Sequence, residues 1–300
     1  MFVRKDLPPQ RVHWPFAQGQ WRMSLGLKAL DLREWIEIDA EFGQYLQQKR
    51  VLLRDRPQSV LAALPHTVAA QQELLDMLTH HLTTRFPQWF QLEGDRICNQ
   101  LTGETWCSSD FAEAPIDLAG RLVQEDLCLM MPSKAGYWLG AASLCFPLYW
   151  QLQEKLGRVM GAIHEPVPGY ESSLHNPVTQ YFDRLTPEHS GYRLNWSIVD
   201  TPELFLGLHR THAVADDITS ENAGDRLWVR VERQTLRRLP ITEAIVFTVR
   251  SFVYPLWQVH AQPQAAQGLD RTIAQLTPEM RQYKSIEPIR SAIAAYLRTP

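Results

Sequence analysis

The sequence is poor in cysteine: Cys98, Cys107, Cys128 and Cys145 are the only four in 300 residues, and they form no C-x-x-C pair. None stands near a histidine at zinc-ligand spacing, which excludes a zinc ribbon. A self-contained iron–sulfur cluster needs four clustered thiolates and is excluded as well. The pattern suits a reducing compartment in which all four stay thiols, with Cys128 and Cys145 used as small buried apolar residues. A basic surplus is missing too: 30 Lys+Arg stand against 33 Asp+Glu, a net charge of −3, so nothing marks the chain for tracking a nucleic-acid backbone. Long apolar runs are absent. The best, Tyr137 to Trp150, contains Pro147, and at about 14 residues it falls short of the roughly 20 that span a bilayer. The opening MFVRKDLPPQ lacks the apolar core of a secretory signal. A cytoplasmic chain with no membrane and no nucleic-acid partner is the expectation. There is no G-x-G-x-x-G, Walker loop, G-x-S-x-G or H-E-x-x-H, so nicotinamide, flavin or ATP binding by the usual folds has no support.

What the chain does have is ten tryptophans, large flat side chains that fill a core or wall a flat cofactor. Its order of elements is also legible. The apolar positions Trp35, Ile38, Phe42, Tyr45 and Leu46 recur at helical spacing, as do Leu74, Leu75, Leu78 and Leu82, and Pro87 stops that second helix. The first 90 residues therefore read as helical. Asp126–Met131 and Tyr137–Phe146 then read as two strands joined by a turn-rich Pro132-Ser133-Lys134-Ala135-Gly136. A helical stretch from Leu148 to Met160 and a short helix from Pro177 to Leu185 follow. Three further strands, Tyr192–Val199, Leu227–Leu236 and Ala244–Tyr254, show period-two alternation. Thr277-Pro278-Glu279 announces C-terminal helices. The expected class is α+β: a PAS-like, mostly antiparallel five-stranded sheet with helices on one face, plus N- and C-terminal helical segments. The expected organisation is a largely helical segment at 1–120, the core at 121–260 and C-terminal helices at 261–300.

Among the ten histidines, adjacent His80 and His81 point about 100° apart on a helix and cannot serve one ligand; they read as solvated surface. His209 and His212 are spaced by three, but in surroundings that do not read as helix. His66, His175, His189 and His260 lie in polar loops or at strand ends, and His13 sits in an aromatic N-terminal arm beside Arg11. His164 has a different context. It follows the apolar Val159, Met160 and Ile163 and precedes Pro166-Val167-Pro168, so a helix gives way there to a stiff loop. An axial metal ligand requires a neutral imidazole held rigidly at an apolar rim; capping a helix C-terminus is the plainer use. In the strand from Leu227, Arg233 falls on the side shared by Val229 and Val231, and a charge aimed at an apolar face must be paired, with a protein carboxylate or with a bound anion. Arg193, Asn195 and Arg250 are further polar strand residues that could line the same cavity.

Five segments together resemble one family, the haem-dependent oxidative N-demethylase alpha subunits. They are Met23-Ser24-Leu25-Gly26-Leu27 with Trp35 and Asp39, Ser143-Leu144-Cys145-Phe146-Pro147, Ile163-His164-Glu165-Pro166-Val167-Pro168, Arg193-Leu194-Asn195-Trp196, and Val231 to Pro240 followed by Ala244-Ile245-Val246-Phe247-Thr248. Ser24-Leu25 stands where a compact Met-Gly-Leu is expected, a small insertion. The resemblance implies a haem b oxygenase on a PAS-like fold, converting a small secondary amine such as dimethylamine, with O₂, to a primary amine and formaldehyde. It implies electrons from NADPH through partner subunits carrying FMN and an iron–sulfur cluster, and it implies His164 as iron ligand, Arg233 and Arg193 on the haem propionates, and Asn195 and Glu232 orienting the amine or relaying a proton. An ammonium would be drawn to a carboxylate or to Trp196 or Trp228. A haem-binding PAS-like sensor or carrier without turnover is the alternative, because fold does not fix function.

Overall fold

The computed structural model describes residues 7–207 and 217–299; His209 and His212 lie outside the described residues. The strands are β1 (Lys28–Ala29), β2 (Leu61–Ala63), β3 (Phe90–Glu93), β4 (Arg96–Asn99), β5 (Glu104–Cys107), β6 (Asp126–Met131), β7 (Trp138–Ser143), β8 (Gly191–Val199), β9 (Trp228–Arg238) and β10 (Ile245–Pro255). Among the described residues the main sheet is antiparallel, in the order β1-β8-β9-β10-β6-β7-β2, and β3-β4-β5 form a separate small sheet. The five strands expected from the sequence make up its middle. Two short edge strands, one of two residues and one of three, make it seven-stranded rather than five-stranded.

β9 and β10 pair over eleven residues, from Ile245↔Arg238 to Pro255↔Trp228, and β8 pairs with β9 over nine, with Asn195 opposite Glu232 and Trp196 opposite Val231. Successive side chains in a strand point to opposite faces, so this register divides the sheet into a Val231 face and a Glu232 face. Both faces carry buried apolar residues on the central strands, and both are covered. Helices Phe42–Asp55, Val68–Arg85 and Pro115–Leu122 pack around Leu127, Leu129, Ala141 and Val246 on the Val231 face. Leu256–His260, Pro263–Gln275 and Arg290–Leu297 cover Val229, Val231, Phe252 and Tyr254 on the same face. On the Glu232 face, Leu152–Lys155, Met160–His164 and His175–Arg184 pack against Cys128, Met130, Leu236 and Ile245. The one-sided arrangement expected from sequence is thus corrected to a sheet with helices on both sides.

Two other departures have local causes. Trp35 and Ile38 are not in a helix, which begins only at Phe42. The backbone of residues 34–39 is instead occupied by side chains from elsewhere. The carbonyls of Glu34 and Trp35 accept from Arg233, and the amides of Glu37 and Asp39 donate to Glu125 and Gln124. The expected helix from Leu148 shrinks to Leu152–Lys155, because Tyr149 takes φ 58° and Gly157 φ 78°, values outside the right-handed helical region.

The segment at 34–39 is also the anchor of a buried charge network. Arg250 donates to Asp39 at 3.0 Å while its guanidinium lies 3.9 Å from the Tyr45 ring centre. Lys49 is equally enclosed, giving its protons to the carbonyls of Val123 and Glu125. Removing one partner of such a pair strands the other charge without water. Asp39→Ala is therefore expected to cost about 3–5 kcal/mol in denaturant-induced unfolding, and adding Arg250→Met should return most of that loss.

His81 corrects the expectation of a solvated surface. Its ring meets Trp35 edge-on at 5.3 Å, and burial, reinforced by the charges of Arg237 and Arg85, pushes its pKa down to about 4. In the unfolded chain it protonates near 6.5. Unfolding then takes up a proton between these values, so its contribution to stability is complete above about pH 7 and is lost as pH falls from about 6.5 to about 4. His81→Phe should flatten that part of the stability–pH curve, measured in chloride buffers.

Candidate functional site on the Glu232 face

In the middle of the Glu232 face the cover is incomplete. Glu232 and Gln234 on β9, Arg193 and Asn195 on β8 and Phe247 on β10 are all half-buried, whereas Val231, Val246 and Thr248 on the opposite face are sealed. β10 is flanked on both sides by strands, so access to Phe247 comes only from above the sheet. These five side chains therefore form a partly exposed strip, a trough on the side of the sheet that the helices of residues 152–184 cover.

Glu232 lies on its floor. One carboxylate oxygen accepts from Gln234 Nε2 at 3.1 Å and from Asn195 Nδ2 at 3.5 Å; the other is 3.4 Å from Arg230 Nε. Asn195 is thus aimed at Glu232 by the strand register itself. Arg193, two residues away on the same face, has a buried Nε with no acceptor. Burial works against its charge, and Glu232 is the negative group that offsets part of that penalty. Lys284 arrives from the C-terminal region, where it donates to the Trp196 carbonyl at 2.6 Å on the edge of β8. Burial lowers its pKa to about 8, with Glu232 opposing and Arg193 reinforcing that shift. Sequence reasoning missed Lys284 because the contact joins positions 88 residues apart, and no local pattern signals it.

His164 is the last residue of the helix Met160–His164. Its Nδ1 lies 3.0 Å from the Met160 carbonyl one turn earlier, and its ring stacks on Tyr170 at 4.8 Å and 11°. The stack follows from the loop: Val167 bonds back to the His164 carbonyl, Tyr170 bonds back to Val167, and Gly169 at φ 74° turns the chain into the next helix. A carbonyl can only accept, so Nδ1 carries the proton and the lone pair is left on Nε2. No described group bonds that Nε2. Burial lowers the ring's pKa to about 4, opposed by the Met160 bond and reinforced by the charges of Lys155 and Arg193. The imidazole is therefore neutral at neutral pH, and Arg193 is near enough for its charge to act on the ring.

The structure brings Arg193, Asn195 and Glu232 together on one face, with His164 on a helix that packs over that face and within electrostatic reach of Arg193. It does not bring Arg233 to them. That residue points from the Val231 face, with Nε 3.1 Å from Glu37 and its other donors on the carbonyls of Trp35 and Glu34. Arg250 is on that face also, paired with Asp39. The Trp196 ring packs against Phe16 at 5.5 Å, away from the trough, while Trp228 is half-buried on the Glu232 face at the end of β9. His13 packs on Phe252 at 4.9 Å with Nε2 3.6 Å from Glu37, part of the arm.

The described residues contain no group of three His, Cys, Asp or Glu that could hold a bare metal ion. A single fixed imidazole with a free Nε2 fits instead a metal whose other ligands come with a macrocycle. The unsatisfied Arg193 guanidinium nearby fits an anionic substituent on that group. No helix of the described residues is long and apolar enough to cross a membrane. Residues 26–294, nearly the whole chain, match the family described as haem-dependent oxidative N-demethylase, alpha subunit-like; the chain belongs to that family.

Proposed function

We propose that this chain binds haem b in the trough through His164 and oxidatively N-demethylates a small secondary amine such as dimethylamine. The observation that carries the reading is the His164 imidazole, tied at Nδ1 and open at Nε2, on the same face as an acceptor-less guanidinium and a half-buried carboxylate. The strand order β8-β9-β10-β6-β7 with helices between β7 and β8 supports a PAS-like core. In balance, (CH₃)₂NH + O₂ + 2 e⁻ + 2 H⁺ gives CH₃NH₂ + HCHO + H₂O. The chain offers no nucleotide motif, so the two electrons come from partner subunits, an NADPH-dependent reductase with FMN and an iron–sulfur cluster.

Haem, when bound, supplies the activation of dioxygen. The residues of the chain do the rest. Nε2 of His164 would hold the iron, with the Met160 carbonyl fixing the tautomer. A propionate would supply the anion that the buried Nε–H of Arg193 lacks, accepting its hydrogen bond. Glu232, held by Gln234 and Asn195, draws in an ammonium and accepts its proton, so that the amine is neutral when it is oxidised. Asn195 positions that carboxylate.

His164→Ala is expected to abolish stoichiometric haem retention or change the axial-ligand spectrum, read by the Soret band; an unchanged spectrum would remove His164 from the iron. Arg193→Leu should leave the Soret position in place but speed haem transfer to apomyoglobin, by about tenfold or more for one charged hydrogen bond lost. With reduced haem, air and dimethylamine, formaldehyde should appear and should fall sharply in Glu232→Gln. Bound haem with no amine-dependent formaldehyde would assign the chain to sensing instead.

A further inference from the structure

The arginines of β9 and its neighbours differ in one respect. Arg230 reaches the carbonyls of Leu204 and Phe146, Arg233 reaches Glu37, and Arg238 reaches the carbonyls of Leu185, Phe182 and Glu243. Arg250 reaches Asp39. Arg237 has no hydrogen-bond or ion-pair partner among the described residues. Its Nε is buried without an acceptor, and its guanidinium lies over the Trp35 ring at 4.7 Å. It projects from the Val231 face, so it cannot share the trough with Arg193.

Two more nitrogens beside it are in the same condition. Trp35, fully buried, has an Nε1–H with no acceptor, and the His81 ring, edge-on to Trp35 at 5.3 Å, has a buried Nε2 with no partner. Arg85 stands close by on the helix of His81, giving its Nε to the Arg33 carbonyl and stacking on Phe86 at 5.5 Å. The charges acting on His81 are Arg237, Arg85 and His80, all of one sign; no carboxylate is among them. Asp31, an acid that feels the charge of Arg85, is bound by Arg33 in a two-point pair.

Indole N–H can only donate, and guanidinium N–H can only donate. Left alone, each buried donor forfeits its hydration with nothing in return. Two such donors from separate elements, with an imidazole nitrogen beside them that donates in one of its two tautomers, are satisfied together by an acceptor with several oxygens. We propose that Arg237, Trp35 and His81 form a second site, on the face opposite His164, that binds a small oxyanion: a phosphate or a carboxylate. The site does not rest on the haem reading, and it stands or falls without it.

The test is thermal unfolding of the full-length, haem-free and haem-loaded protein at constant ionic strength, with inorganic phosphate, acetate or chloride as the varied anion. Phosphate or acetate should raise the midpoint saturably, on the order of 5 °C at a hundred times the dissociation constant. Whichever of the two acts at the lower concentration shows whether a phosphoryl or a carboxylate group is the natural occupant. Arg237→Leu should abolish the shift. Trp35→Phe, which keeps the ring platform and removes one N–H, should weaken binding about tenfold and serves as the second variant if Arg237→Leu fails to fold. The proposal is overturned if chloride matches both oxyanions, or if the folded variants respond as the wild type does.

Discussion

Everything functional in this chain depends on the pairing register of β8, β9 and β10. Eleven consecutive pairs join β9 to β10, and within them neighbouring residues are separated by the full thickness of the sheet. Glu232 and Arg233 are covalent neighbours with opposite fates. One lies half-buried in the trough, the other is locked into the packed side against Glu37. A slip of one residue would exchange them, placing a guanidinium in the trough and an unpaired carboxylate under the helices. The slip is prevented from both sides, by the apolar Val229, Val231 and Phe252 on one face and by the Arg233–Glu37 and Arg250–Asp39 pairs that fit only this register.

Those pairs explain why the N-terminal segment is irregular. A helix from Glu34 would close its own backbone hydrogen bonds and leave nothing for Arg233, Glu125 and Gln124. In the irregular path that follows the turn at Leu32–Glu34, carbonyls and amides of residues 34–39 serve as partners for charges and amides on the sheet side. Satisfying buried polar groups outweighs the local preference for helix, worth only tenths of a kcal/mol per residue. The same segment presents the Trp35 indole to Arg237, so the packed face is both scaffold and a second place for charge.

The parts of the fold that were legible are those set by local periodicity. Alternation located three of the five central strands, a turn-rich pentapeptide between apolar runs located the other two, and the apolar spacing after Val68 located the helix that ends at Arg85. Strands of two or three residues leave no period to detect, and in β3 only Phe90 is buried while the next three residues are exposed. Side assignment within a strand was also legible: Arg233 does share its face with Val229 and Val231. What lay beyond the sequence was which of the two offered partners Arg233 takes, since Glu37 lies almost two hundred positions away. Lys284 was invisible for the same reason. His164 could be singled out because its setting is local, a helix end followed by two prolines, and the hydrogen bond that fixes its tautomer is local as well.

Arg193 and Arg237 bear on each other. Both are strand arginines, both have a buried Nε without an acceptor, and burial lowers the pKa of each. They differ in what lies nearby. Arg193 has Glu232 and the His164 imidazole within electrostatic reach, which fits the proposed haem with its anionic substituents. Arg237 has an indole N–H and a second imidazole and no acid, which suits a small ion with several oxygens. A stranded guanidinium is among the costlier features a core can carry, and chains that gain nothing from it lose it readily to an apolar side chain of similar volume. Two such residues on opposite faces of one strand pair would each be satisfied by its own anion, as proposed for the two sites.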